Sequence, residues 1–158
     1  VNAETYRLLQ QLPYIVQVLD TTAMEMVSRR DDADFGPKAI DSSDYLIAFF
    51  HLPPNQVTEW LSSIGVAEQD LLRLQRQVYR PRKNDRLSFT PWENEREFEA
   101  DELAYTIPAR KMLRDLVSAN LKHSTDDETV LKRVTVAIFE SDSDVVNQAL
   151  RTVRQTFR

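Results

Sequence analysis

The stretch Asp44-Tyr45-Leu46-Ile47-Ala48-Phe49-Phe50, followed by Val57, Leu61 and Ile64, returns later in the chain. The second copy is Arg133-Val134-Thr135-Val136-Ala137-Ile138-Phe139, followed by Val146, Leu150 and Val153, at a constant offset of 89 residues without a gap. Ala48, Phe50, Val57 and Leu61 recur unchanged, while Ile47, Phe49 and Ile64 return as Val136, Ile138 and Val153. A run that is apolar on most faces predicts a helix at the buried centre of its unit. A second copy at fixed distance predicts a duplicated helical unit. The polar starts of the two copies, Ser42 to Asp44 and Leu131 to Arg133, are expected on the outside.

The surrounding sequence is helical in the same way. Asn2 is placed to cap a first helix that turns Tyr6, Leu9 and Leu12 inward, and Pro13 suits the first turn of a second. In that second helix Ile15, Val18, Leu19, Thr22 and Met26 follow at spacings of three and four. Arg29 to Ile40 reads as a polar loop, and Asp41 to Asp44 supplies capping oxygens for the central helix. Pro53-Pro54 ends that helix. Asn55 caps the next, which carries Val57, Trp60, Leu61 and Ile64 inward and stops at Gly65 in a left-handed conformation. A helix from about Ala67 to Val78 buries Leu71, Leu74 and Val78.

Tyr79 to Trp92 breaks the periodicity with two prolines and local positive charge, and reads as a linker. Glu93 to Leu103 looks like an acidic helix anchored by Phe98 and Leu103. Pro108 opens a helix to about Leu121 that buries Met112, Leu113, Leu116 and Val117. After a loop at His123 to Asp127 come the repeated central helix and a last helix capped at Asp142 to Asp144, which buries Val145, Val146, Ala149, Leu150, Val153 and Phe157. The fold class is therefore all-α. Two tandem, pseudo-symmetric repeats (residues 1–78 and 93–158, joined by a linker at 79–92) are expected to pack into one compact domain. No segment shows strand alternation.

Composition excludes several chemistries. With only Gly36 and Gly65, the chain has no P-loop and no dinucleotide fingerprint. With no cysteine it has no disulfide, thiol nucleophile or Cys-based zinc site, which fits a reducing, cytoplasmic setting. No apolar run reaches the ~20 residues of a membrane span, no signal peptide opens the chain, and the start at Val1 reads as a fragment or a processed form. The net charge of −5 argues against nucleic acid as the main partner.

His51 and His123 stand in non-equivalent places and read as exposed or capping residues. The clusters Asp31-Asp32-Asp34 and Asp126-Asp127-Glu128 lack calcium-loop spacing, so they read as solvated loops, and no metal or cofactor is expected. The acidic run Glu93 to Glu102 reads as a solvated helix face, and the Arg80 to Arg86 segment as too short for nucleic acid. No serine has a catalytic motif around it, so the chain is expected not to be an enzyme. Trp60 reads as core. Tyr79, Phe89, Trp92 and Tyr105, aromatic residues at or near the linker, are the candidate partner contacts, Trp92 serving either as a staple or as an exposed anchor.

The first unit resembles the N-terminal domain of the bacterial Clp ATPases, a double helical repeat at the head of AAA+ unfoldases. Each family repeat has a line close to I-G-T-E-H-L-L-L-G-L-L, then a turn, a helix, G-V and a last helix. Here the line reads Ile40-Asp41-Ser42-Ser43-Asp44-Tyr45-Leu46-Ile47-Ala48-Phe49-Phe50, with Gly65-Val66 at the expected distance. Tyr105-Thr106-Ile107-Pro108-Ala109-Arg110-Lys111-Met112-Leu113 is similar to the family's L-T-P-R-A-K-R-V-L opening.

The resemblance implies a chaperone-associated domain that docks adaptors, substrates or partner helices ahead of an ATPase outside this chain, in a hexameric host. It adds Thr106 to the candidate contacts. In some family members this threonine and the glutamate of the line dock phosphorylated arginine. The glutamate positions here hold Ser43 and Lys132, so that chemistry is not carried over. A stand-alone helical adaptor without an ATPase is the alternative reading, and a helical DNA-binding regulator a weaker one.

Overall fold

The computed structural model describes residues 3–30, 39–84, 104–121 and 126–156. Eight α-helices account for most of the described residues, which are all-α apart from one two-residue strand pair. Helix α1 is Ala3–Gln10, α2 Tyr14–Arg29, α3 Ser42–Ala48 (continued by a 3-10 turn at Phe49–His51), α4 Gln56–Ser63 and α5 Glu68–Asn84. Helices α6 (Ile107–Ser118), α7 (Asp127–Phe139) and α8 (Asp144–Thr156) complete the set.

Helix α3 is the centre. Every residue from Ser42 to Phe49 is buried, and the helix packs against α2, α5, α6, α7 and α8. Burying Tyr45, Leu46, Ile47 and Phe49 contributes roughly 1.5–3 kcal/mol per large apolar side chain. Asp41 caps the helix by accepting from the Ser43 N–H at 3.1 Å. Asp44 answers by accepting from the Asp41 N–H at 2.8 Å, closing a capping box.

Helix α4 begins as read, with Asn55 accepting from the Thr58 N–H at 3.0 Å. It ends in a Schellman turn, where the Val66 N–H reaches Leu61 O at 2.9 Å and the Gly65 N–H reaches Ser62 O at 3.1 Å. Gly65 sits at φ +80°, and a Cβ there would meet nothing within 4 Å. Gly65→Ala therefore carries only backbone strain. It is expected to cost about 1 kcal/mol in urea unfolding, a value typical of a left-handed glycine site.

Several elements differ from the sequence reading. In α2 the buried stripe is Val16, Leu19, Ala23 and Val27, one residue round from the expected one, and Ile15, Val18 and Met26 are half-buried. Tyr6 is exposed instead of inward. Helix α5 runs to Asn84, six residues into the expected linker. Ser42, Ser43 and Asp44 are buried instead of outside. A parallel strand pair, β1 (Ala39–Ile40) with β2 (Ala104–Tyr105), joins the entries to α3 and α6. It is too short to show a period of two. The expected helix at Glu93 to Leu103, the loop at Asp31 to Asp34, His123, Phe157 and residues 85–92 of the expected linker lie outside the described residues.

Candidate functional site

Helix α7 is apolar on more than one side. Val130, Leu131, Val134, Ala137 and Ile138 face the core. Lys132, Thr135, Val136 and Phe139 follow at intervals of three, one and three, which places them along a second face. Across from that face stands α4 with Gln56, Val57 and Trp60, and α8 closes the floor with Leu150. Together these side chains line an open groove of about 680 Å3, within the size range of ligand and peptide sites.

Trp60 keeps 42% of its surface exposed and Val136 40%, so the reading of Trp60 as core and of Val136 as buried is corrected. The Trp60 ring is nevertheless fixed, edge-on to Phe139 with centroids 5.6 Å apart and planes at 74°. At one end Gln56 Nε2 donates to Glu128 O at 2.7 Å and ties α4 to the start of α7. Glu128 also pairs with Lys132 at 3.8 Å, on the solvent side. The groove is thus a mainly apolar surface with an aromatic wall and a polar end, its polar lining side chains being Gln56, Lys132 and Thr135, and it can take apolar side chains from a partner.

Of the residues picked from the sequence, Thr106 and Tyr105 lie elsewhere. Thr106 and Tyr105 are buried, 1% and 2% exposed, because their hydroxyls are committed inside the protein. Thr106 Oγ1 donates to Asp41 Oδ1 at 2.8 Å, so Thr106 is not presented to a partner. Tyr105 OH donates to Asp20 Oδ1 at 3.0 Å, beside Tyr45 OH on the same oxygen at 2.6 Å. Tyr79 lies on α5, its side chain outside the described set, as are Phe89 and Trp92. His51 is exposed and paired with Glu68 at 2.6 Å. Among the described residues no group of three or more His, Cys, Asp or Glu could hold a metal ion, and no helix is long and apolar enough to cross a membrane.

The interior that absorbs Thr106 and Tyr105 is unusually polar. Asp41 Oδ2 accepts from Ser43 Oγ at 2.7 Å and from Ser143 Oγ at 2.6 Å, in addition to its capping bond. One carboxylate therefore links the starts of α3, α6 and α8. Asp44 Oδ1 accepts from Arg30 at 2.7 Å and from Gln75 at 2.7 Å, while Ser42 and Ser141 share a bond at 2.7 Å. Burial pushes the Asp44 carboxyl up, and the Arg30 guanidinium pulls it back.

Among the described residues no such cation pairs with Asp20. Burial raises its pKa, and the two tyrosine hydroxyls oppose the rise only in part. A carboxyl raised on folding stabilises the fold most below its unfolded value of about 4, and that contribution is lost as pH rises through the folded value. Asp20→Asn removes this titration. The stability of the native chain relative to the variant is therefore expected to fall as pH rises above about 4, as read by urea unfolding at each pH.

Comparison of the chain with family models, characterised proteins and solved structures returns no match.

Proposed function

We propose that the chain is a non-catalytic protein-interaction domain that receives a partner helix in the groove between α4 and α7. The observation that carries this reading is the half-exposed pair Trp60 and Val136 on an otherwise apolar groove. An aromatic anchor held in place but left partly open is typical of helix-in-groove recognition, in which a partner inserts apolar side chains at i, i+3 or i+4, and i+7.

The tandem-repeat reading is supported by the 89-residue offset, which carries α3 and its 3-10 turn onto α7, and α4 onto α8. On that reading the groove has walls from both repeats. With the likeness to the Clp N-terminal domain, it suggests a docking module for adaptors or substrates of an unfoldase, in which a hexameric host would raise modest affinity by multivalency. A stand-alone adaptor would use the same groove. The net charge of −5 disfavours the DNA-binding reading, and a gel-shift assay at low salt tests it. Nucleotide turnover by the isolated chain would overturn the non-catalytic reading.

The test uses a designed amphipathic peptide with leucines at i, i+3, i+4 and i+7, and a scrambled peptide of the same composition. In a Trp92→Phe background Trp60 is the sole tryptophan. Saturable blue-shifted emission with the helical peptide alone supports docking. An unchanged spectrum, or an equal response to both peptides, contradicts it.

A further inference from the structure

A second concave site lies between α1 and α2, apart from the groove. It measures about 340 Å3 and is lined by Tyr6 and Leu9 from α1 and by Gln17, Asp20, Thr21 and Met24 from α2, among others. On the α2 wall one N–H of the Gln17 amide and the Thr21 hydroxyl are already committed. Gln17 Nε2 donates to Leu12 O at 3.1 Å, and Thr21 Oγ1 donates to Gln17 O at 3.0 Å. Beside the second Gln17 N–H, these side chains offer mainly acceptors: the Gln17 carbonyl oxygen, the Thr21 lone pairs and the Asp20 carboxylate.

Asp20 is 4% exposed and is faced by the Tyr45 and Tyr105 hydroxyls. Among the described residues its Oδ1 holds both hydroxyls, whereas Oδ2 accepts the longer Tyr105 contact at 3.2 Å and has lone-pair capacity for another donor. A buried carboxylate is costly when ionised, and a ligand that brings positive charge and N–H donors relieves that cost. The remaining walls are apolar or aromatic. Leu9 and Met24 suit an aliphatic stem, and the exposed Tyr6 ring can lie over a cation.

We propose that this cleft binds a primary ammonium or guanidinium group carried on an aliphatic stem, with Asp20 as its counterion. The ligand is either the lysine or arginine side chain of a polypeptide or a free alkylamine. Acids and neutral alcohols of the same length lack the positive charge that pairs with the Asp20 carboxylate, so they should bind more weakly. Binding ionises Asp20, so affinity rises with pH until the carboxyl is fully charged.

The experiment is an NMR titration of the isotope-labelled chain at neutral pH with n-butylammonium, 1-butanol, Nα-acetyl-lysine methylamide and its ε-acetylated form. The two ammonium compounds are expected to give saturable shifts at Leu9, Gln17 and Thr21, at least tenfold tighter than either neutral compound. Tighter binding of the lysine amide than of butylammonium assigns the site to a polypeptide side chain, and the reverse order assigns it to a free amine. Asp20→Asn should weaken ammonium binding at least tenfold. Tyr6→Ala, at an exposed position, should weaken it severalfold and keeps the test decisive if Asp20→Asn does not fold. Equal response to butanol and butylammonium, unchanged binding in Tyr6→Ala, or shifts confined to other parts of the protein would overturn the proposal.

Discussion

Asp41→Ala is expected to destabilise the protein by about 3–5 kcal/mol, because one substitution removes a helix cap and leaves several buried hydroxyls without an acceptor. Losing the N-cap of α3 costs about 0.5–2 kcal/mol, and each buried hydroxyl left without its acceptor costs a further 1–3 kcal/mol. Thr106 and Ser143 both lose such an acceptor, at the starts of α6 and α8. Domains of this size are commonly stable by only about 5–15 kcal/mol, so the variant should be marginal. Its thermal midpoint should fall on the order of 10 °C in a circular dichroism melt. Thr106→Ala and Ser143→Ala each remove one donor and should cost about 1 kcal/mol, with non-additive behaviour when combined because they share one oxygen network. A melt of Asp41→Ala within a degree or two of the native chain would mean that the three helix starts do not depend on this carboxylate.

The second large effect concerns the groove. Val136 is partly open in the free protein, so Val136→Glu should change stability by no more than about 0.5 kcal/mol, as for a surface substitution. A docked apolar helix would have to desolvate the new carboxylate without a partner, which costs several kcal/mol. Binding of the leucine-patterned helix is expected to fall at least about 100-fold, measured by calorimetry, while the melting curve stays in place. Trp60→Ala should remove an anchor worth about 2 kcal/mol or more, roughly a 30-fold loss. It also deletes the edge-on contact with Phe139, so a stability loss of about 0.5–1.5 kcal/mol should accompany it.

Much of the fold is legible because local signals agree with tertiary ones. The run Tyr45 to Phe49 is apolar on most faces and is found at the centre. Asp41, Asn55 and Gly65 mark helix ends through backbone geometry that only a few residue types satisfy. The stripe of α2 was harder, because Ile15-Val16 and Val18-Leu19 fit two neighbouring registers equally well. Packing against α3 and α7 selects Val16, Leu19, Ala23 and Val27.

The buried polar network has no local signature. Ser42, Ser43 and Asp44 read as surface until their partners Gln75, Ser141 and Arg30 are brought beside them. The groove was missed for the opposite reason. Periodicity marks Trp60 and Val136 as apolar positions of a helix, but whether a neighbour covers them depends on how α4, α7 and α8 are arranged. The one hint in the sequence is that α7 carries more apolar residues than a single face can hold. The aromatic residues near the linker drew attention by composition alone, and of these Tyr105 is held inside by Asp20.

The central claim is that the groove between α4 and α7 is a docking surface. It is tested most directly by recording amide chemical shifts of the labelled chain while the leucine-patterned helix is added. Saturable changes concentrated at Gln56 to Trp60, Lys132 to Phe139 and Leu150, absent with the scrambled peptide and lost in Val136→Glu, are the predicted result. Changes centred on other helices, or no saturable change up to millimolar peptide, would contradict it.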